Sequence, residues 1–372
     1  MKKQIKKSAE PLKPTVVGTG LVALDVVVSG DDVKYFAGGT CGNVLTCLSY
    51  LGWDAKPVAR LKNDSLAKWL IDDLSKWNVD TSHLTTTDDG STPVIIQRIK
   101  TDSKGNPTHS FSLRCPCCGS YLPGYKSILG AAADELSDGL SQHQVFFFDR
   151  VSRGTLNLAQ ACAERGALVV FEPSGIGEPR LFREAWSIAH VVKYSNDRLR
   201  DIADIDLKSV RNDLLMEIET MGASGLRFRC RLPRAESKGW RKLKVVTAAA
   251  IRDAAGSGDW CTAGFIHKLA RGGLTGFRNA TSDRLTEALR YGQALAAWNC
   301  SYEGARGGMY QITKPQFDRS IQQFLAGKTI HPIENESQAG GETISKVCST
   351  CESAAAMEQS RKSSEKPRYR LA

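Results

Sequence analysis

The 372-residue chain contains no run of about twenty apolar residues, the length a helix needs to cross a bilayer. A membrane-spanning protein is therefore not expected. The basic start, Met1-Lys2-Lys3-Gln4-Ile5-Lys6-Lys7, is not followed by an apolar stretch of signal-peptide type, so a secretory signal is not expected either. Eleven cysteines are an odd number, and without a secretion signal they argue against a disulfide framework. A soluble, cytoplasmic protein is the expectation. The segment from Arg227 to Lys244 holds eight basic residues against one acidic residue, Glu236, and the whole chain carries a net charge of +10. No aromatic-interleaved pattern of RNA-binding type accompanies that charge. Nucleic acid is thus a minor alternative beside a solvated face or attraction to small phosphorylated molecules.

What is present points to a phosphate site. Asp253-Ala254-Ala255-Gly256-Ser257-Gly258-Asp259-Trp260 places small residues between two carboxylates. Apolar residues at helical spacing follow: Trp260, Ala263, Phe265, Ile266, Leu269 and Ala270. The pattern predicts a tight loop whose bare N–H groups converge at a helix start, where anionic oxygens bind. Asp259, at the first turn, is placed to take a proton from a hydroxyl attacking phosphorus. The same composition also suits an ordinary Gly-rich turn capped by Asp. A second run, Ala37-Gly38-Gly39-Thr40-Cys41-Gly42-Asn43, precedes a helical pattern through Leu45, Leu48 and Leu51 that closes at Gly52.

These two runs, in this order and more than two hundred residues apart, resemble the two signatures of the ribokinase-like (PfkB) carbohydrate kinases. The resemblance extends over about residues 14–326. It implies a three-layer α/β/α sandwich with a mostly parallel central sheet and a small β-sheet lid, formed by about 25–38 and 92–114. It also implies transfer of the γ-phosphoryl group of ATP, with Mg2+, to an alcohol of a sugar, nucleoside or related small molecule.

Residue by residue, Asp259 matches the family's catalytic base, and Gly256, Ser257 and Gly258 match its anion hole. Asp253 opens that signature on the nucleotide side. Asp25 matches the early carboxylate that accepts substrate hydroxyls; Gly38, Gly39 and Asn43 match the substrate-binding turn and its Asn. Thr220, Gly222 and Gly225 match a Thr-x-Gly-x-x-Gly turn lining the nucleotide site, although the glycines would equally close a β-hairpin. Glu172-Pro173-Ser174 matches an acidic-Pro segment near the phosphates.

The chain departs from the family at several points. Ala254 and Ala255 stand where the second signature usually has Thr. Ser195-Asn196-Asp197-Arg198 stands where Asn-x-x-Glu orders magnesium, and Lys62-Asn63-Asp64 replaces a Gly-x-Asp turn. These departures motivate an alternative, a weak or inactive nucleotide- or sugar-binding sensor.

Along the chain, residues 15–28 read as one buried strand continuing into an extended segment. Helices are expected at roughly 41–52, 65–77, 154–165, 179–187, 258–271, 282–300 and 314–325. Thr92–Lys100 and Thr108–Leu113 flank a turn and read as a hairpin. Val145–Phe148, Leu168–Phe171 and Val191–Lys193 alternate with helices as in right-handed βαβ units. Most of 330–372, like the basic tail 1–13, is polar and expected to be disordered. An unpaired lid edge suggests a lid-to-lid homodimer.

Four cysteines lie in apolar helical patterns as small hydrophobes: Cys47, Cys162, Cys261 and Cys300. A different group has metal-ligand spacing. Cys115-Pro116-Cys117-Cys118-Gly119 is a knuckle that would aim Cys115 and Cys118 at one metal. Cys348 and Cys351 repeat the spacing in the tail. Together the four would complete a structural Zn2+ site beside the lid, with Cys117 as the substitute for Cys118 and a reducible thiol patch as the alternative.

Overall fold

The computed structural model describes residues 13–30, 32–101, 103, 107–140, 142–199, 213–248, 250–328, 330–333 and 347–353. Most of both expected tails lies outside them. The elements in chain order are β1 (Thr15–Thr19), β2 (Ala23–Ser29), β3 (Asp32–Gly38), α1 (Thr40–Tyr50), β4 (Asp54–Lys62), α2 (Ser65–Lys76), β5 (Leu84–Thr87), β6 (Val94–Thr101) and β7 (Pro107–Ser112). There follow α3 (Gly130–Gly139), β8 (Val145–Phe148), α4 (Arg153–Glu164), β9 (Leu168–Phe171), α5 (Pro179–Ile188), β10 (Val191–Ser195), β11 (Met216–Thr220), β12 (Leu226–Cys230) and β13 (Arg241–Leu243). The chain then runs through α6 (Ser257–Leu269), α7 (Gly273–Arg278), α8 (Ser282–Asn299) and α9 (Lys314–Leu325).

A nine-stranded sheet in the order β13-β12-β11-β10-β9-β8-β1-β4-β5 forms the middle layer. Its pairs are parallel from β5 through β11, and only the β11–β12 and β12–β13 pairs are antiparallel. Central strands such as Val145-Phe146-Phe147-Phe148 are apolar without alternation because helices cover both faces. One face packs on α1, α6 and α8, the other on α4 and α5.

Local chemistry sets the helix starts. Asp64 and Ser152 cap α2 and α4 through N–H groups three residues on. Glu178 precedes Pro179 at the start of α5, and Thr313 with Gln316 makes a capping box for α9. The expected helices agree with these to within one or two residues at most ends.

The reading of 15–28 as a single strand is corrected. Gly20, at φ 147°, interrupts it, and β2 leaves for a second sheet of order β3-β2-β6-β7. A Cβ on Gly20 would stand 1.7 Å from the Asp149 carboxylate oxygen, so the close approach itself demands glycine. The second sheet is the expected small lid, and its β6–β7 pair is the expected hairpin.

Candidate active site

The loop before α6 is held open by backbone geometry. Gly256 has φ 71°, in the left-handed region, and a Cβ there would lie 2.2 Å from the Ala305 carbonyl oxygen. Among the described residues, the N–H groups of Gly256, Gly258 and Asp259 meet no acceptor. The N–H of Ser257 differs from the expectation: it donates back to the Ala254 carbonyl at 3.2 Å. The exposed donors at this helix start are therefore Gly256, Gly258 and Asp259 rather than the whole Gly-Ser-Gly run. Their partial positive charge adds to that of the helix terminus.

Asp253 braces this loop from inside. One of its oxygens accepts from Ala255 N–H at 2.9 Å. The other accepts from Gln97 Nε2 at 2.6 Å and Gly304 N–H at 2.9 Å. Both Asp253 and Gln97 are buried, so the pair is a polar latch between the loop and β6 of the second sheet.

Asp259 is positioned by a relay across α1. Asn43 Nδ2 donates to Asp259 Oδ2 at 2.7 Å, and Asn43 Oδ1 accepts from Arg306 Nε at 3.1 Å. That acceptor bond fixes the amide orientation, so its NH2 group must face Asp259. The fully buried Arg306 also bonds the Ala37 carbonyl and sits 3.4 Å from Asp73, which accepts from Tyr310 Oη at 2.7 Å. Burial pushes the Asp259 pKa up to about 7, and the Glu172 charge adds to the effect. The Asn43 hydrogen bond and the Arg198 and Lys193 charges oppose it.

Asp25 faces the same space from β2. Its pKa is also pushed up to about 7, first by burial and then by the Asp259 charge. A Cβ on Gly38 would stand 1.9 Å from Asp25 Oδ2, so Gly38 clears room for the carboxylate. Gly39, at φ 81°, starts α1, where a Cβ would meet the Leu21 carbonyl oxygen at 2.4 Å. The structure thus brings Asp25, Gly38, Gly39, Asn43 and Asp259 together.

Three features were missed. Asp149, at the carboxyl end of β8, accepts from Leu21 N–H at 2.9 Å and from Arg150 at 2.5 Å. Burial lifts its pKa to about 6. It bridges the place where the sheet's strand order reverses between β1 and β8, the usual ligand crevice of such sheets. An acidic residue closing a wholly apolar strand was the available signal. Gln97, the lone amide in Val94-Ile95-Ile96-Gln97, was legible in the same way. Arg306 sits in a Gly-rich loop with no periodicity to reveal it.

At the carboxyl ends of β9 and β10, Lys193 Nζ donates to Glu172 Oε1 at 2.6 Å and to the Gly258 carbonyl at 3.2 Å. Thr262 Oγ1 donates to the other Glu172 oxygen at 2.5 Å. Asn196, Asp197 and Arg198 follow β10 as an exposed turn. Thr220 ends β11, and the Gly222–Ser224 turn with Gly225 at φ 87° closes the hairpin to β12. The hairpin reading of these glycines holds, at the same carboxyl-end edge as α6's start. Within the basic segment, some of the charge is met by carboxylates of β11. Arg227 and Arg229 pair with Glu219 and Glu217 at 2.5 Å and flank the Trp240 ring at 4.6 and 4.8 Å.

The four expected cysteines also converge. Sγ atoms of Cys115, Cys118, Cys348 and Cys351 all lie within 4.8 Å of one another. Cys117 is exposed and is not a member of the cluster.

The fold is that of the ribokinases. Solved structures similar to this chain include aminoimidazole riboside kinase from Salmonella enterica complexed with aminoimidazole riboside and an ATP analog, at 19% identity. It covers 82% of this chain and 99% of its own, with a TM-score of 0.62. Ribokinase from Giardia lamblia matches at 14% identity, 85% and 99% coverage and a TM-score of 0.66. Ribokinase from Arabidopsis thaliana, complexed with ribose and ATP, matches at 15% identity, 84% and 99% coverage and a TM-score of 0.61. At such identities the likeness is one of fold. No curated protein matches the chain by sequence. Residues 140–311 match the family model described as pfkB family carbohydrate kinase. Its members are sugar and nucleoside kinases.

Proposed function

We propose that the protein transfers the γ-phosphoryl group of ATP to an alcohol of a sugar, nucleoside or related small molecule. The observation that carries this reading is the buried Asp259 carboxylate, its pKa raised to about 7, on a turn where the N–H groups of Gly256, Gly258 and Asp259 meet no acceptor among the described residues. A base with a pKa near 7 accepts a proton readily at the pH where it works.

In this reading Asp25 accepts hydrogen bonds from the acceptor's hydroxyls and holds the attacking oxygen beside Asp259. Asp259 takes the hydroxyl proton as the oxygen–phosphorus bond forms and the bond to the ADP oxygen breaks. Charge on the transferring oxygens is met by the N–H groups of Gly256, Gly258 and Asp259. Asn43 and Arg306 act as positioning residues, keeping the Asp259 carboxylate in one rotamer.

Magnesium would supply charge neutralisation between the phosphates when bound. Glu172 and Asp149 already spend their oxygens on protein donors. Asn196 and Asp197, at the carboxyl end of β10, would hold it through hard oxygen ligands of the kind it prefers. Lys193, beside Glu172, adds positive charge under the first turn of α6.

Arg198 in place of Glu, with Ala254 and Ala255 in place of Thr, favours the sensor as a second reading. ADP formation across a panel of sugars and nucleosides separates the two. The kinase reading expects acceptor-dependent ADP that Asp259→Asn abolishes while ATP binding persists. Ligand-induced thermal stabilisation without ADP from any acceptor would establish the sensor instead. A lid-to-lid dimer would have to use the edge strands β3 and β7, because the lid's outer face is covered. Among the described residues no helix is long and apolar enough to cross a membrane.

A further inference from the structure

We infer that Cys115, Cys118, Cys348 and Cys351 bind one zinc ion, which clamps residues 347–353 onto the outer face of the second sheet. This site is independent of the proposed phosphoryl transfer and stands or falls separately.

The geometry is that of a tetrahedral thiolate site. A Zn–S bond of about 2.3 Å places ligand sulfurs about 3.8 Å apart along each tetrahedron edge. Cys115 Sγ lies 3.8 Å from Cys351 Sγ, and Cys118 Sγ lies 3.6 Å from Cys348 Sγ. A disulfide needs about 2.05 Å, so neither contact is one. Both close contacts run between the two Cys-x-x-Cys pairs, as expected when each pair supplies two corners.

Each pair is built by its local backbone. Leu122 N–H donates to the Leu113 carbonyl and Cys115 N–H to the Ser120 carbonyl, at 2.8 and 2.9 Å, making a tight β-turned knuckle. Gly119, at φ 73°, closes it with its N–H on the Cys115 carbonyl at 3.0 Å. That turn projects Cys115 and Cys118 to one side and leaves Cys117 on the other. The second pair opens a helical turn, where Glu352 N–H bonds the Cys348 carbonyl at 2.9 Å. Arg114 lies beside the knuckle, bonded to the Gly119 carbonyl at 3.1 Å and stacked on Tyr121 at 3.8 Å. Its cation offsets part of the negative charge that four thiolates and one Zn2+ leave. Cys115 and Cys348 are buried while Cys118 is exposed, which gives the ion a path in.

The clamp has an apolar footing. Val347 and Cys348 pack with Leu24, Val26, Tyr35, Val94, Ile96 and Leu122. On binding, the four thiols lose their protons to solvent and four Zn–S bonds form, with no change of oxidation state. Loss of the ion removes the attachment that holds Val347 over this layer.

The test is elemental analysis of the full chain, purified under reducing conditions without chelator, together with thermal melting. The expected result is one zinc per chain, falling well below half in Cys351→Ser and unchanged in Cys117→Ser. Cobalt replacing zinc in the reduced protein should give the absorption of a tetrahedral four-thiolate centre. Chelation should lower the melting temperature of the wild type and leave that of Cys351→Ser nearly unmoved. Should Cys351→Ser fail to fold, cobalt spectra and chelation of the wild type still decide. Metal-free wild type that neither takes up cobalt nor responds to chelator would overturn the inference, as would iron in place of zinc.

Discussion

The two faces of the small sheet are built from the same strands and follow opposite rules. On β2, Leu24 and Val26 point outward into an apolar layer with Tyr35, Val94 and Ile96. Between them, Asp25 points inward and meets the site. On β6, Ile96 faces out while Gln97 faces in and holds Asp253. The period of two that places successive side chains on opposite faces lets one strand serve folding and chemistry together. The outer face is satisfied by area removed from water. The inner face carries Asp25, whose pKa burial raises, and the amide of Gln97, and it is stable only while each finds a partner.

Removing the base should break the comparison most sharply. Asp259→Asn is expected to lower kcat roughly 10²- to 10⁴-fold, as steady-state ADP formation would show. In the wild type the rate should fall as pH drops through about 7, because the base must be ionised to accept a proton. Stability should run the other way. An acid whose pKa rises on folding, here from 3.8 to about 7, favours the folded chain fully at low pH. That contribution fades as pH climbs through about 7. Asp259→Asn should therefore raise the melting temperature at pH 8 and leave it nearly unchanged at pH 4, and equal effects at both would contradict the assigned shift.

Next in size is Asp25→Ala, expected to cost the acceptor about 1.5–3 kcal/mol, roughly 10- to 150-fold in kcat/KM, with little change in ATP affinity. An unaltered acceptor KM would remove Asp25 from the substrate site. Gln97→Leu probes the latch. Leaving the buried Asp253 oxygen short of a donor should cost about 1–3 kcal/mol. Part of that should appear as weaker turnover because the loop before α6 loses its brace, and unchanged kcat and kcat/KM would show that the latch serves stability alone. The mildest change is on the outer face: Ile96→Val should lower stability by about 0.5–1.5 kcal/mol and leave kcat/KM within error. A kinetic effect there as large as that of Gln97→Leu would erase the distinction between the faces.

Much of this was legible before any coordinates. Helix periodicity located the long helices because each buries one apolar stripe at a spacing fixed by backbone geometry. Asp259 was legible from the small-residue loop before a helix, which leaves backbone donors bare, whereas Asp25, Gly38, Gly39 and Asn43 were singled out through the resemblance to the ribokinase-like kinases. The paired Cys-x-x-Cys spacings carried their own chemistry in the same way. Residues 15–28 misled because β-branched residues favour extended chain without saying to which sheet it belongs. Only Gly20's close approach to Asp149 divides them.

The chain order therefore set the local menu: which segments coil, which extend, where amide donors are left bare and which cysteines can share an ion. The folded arrangement alone decided that Ser257's N–H turns inward, that Gln97 reaches Asp253 and that Arg306 orients Asn43. It also decided that carboxylates far apart in the chain shift one another towards neutrality. Those outcomes depend on distances between remote segments and on exclusion of water, and neither quantity exists until the layers close over one another.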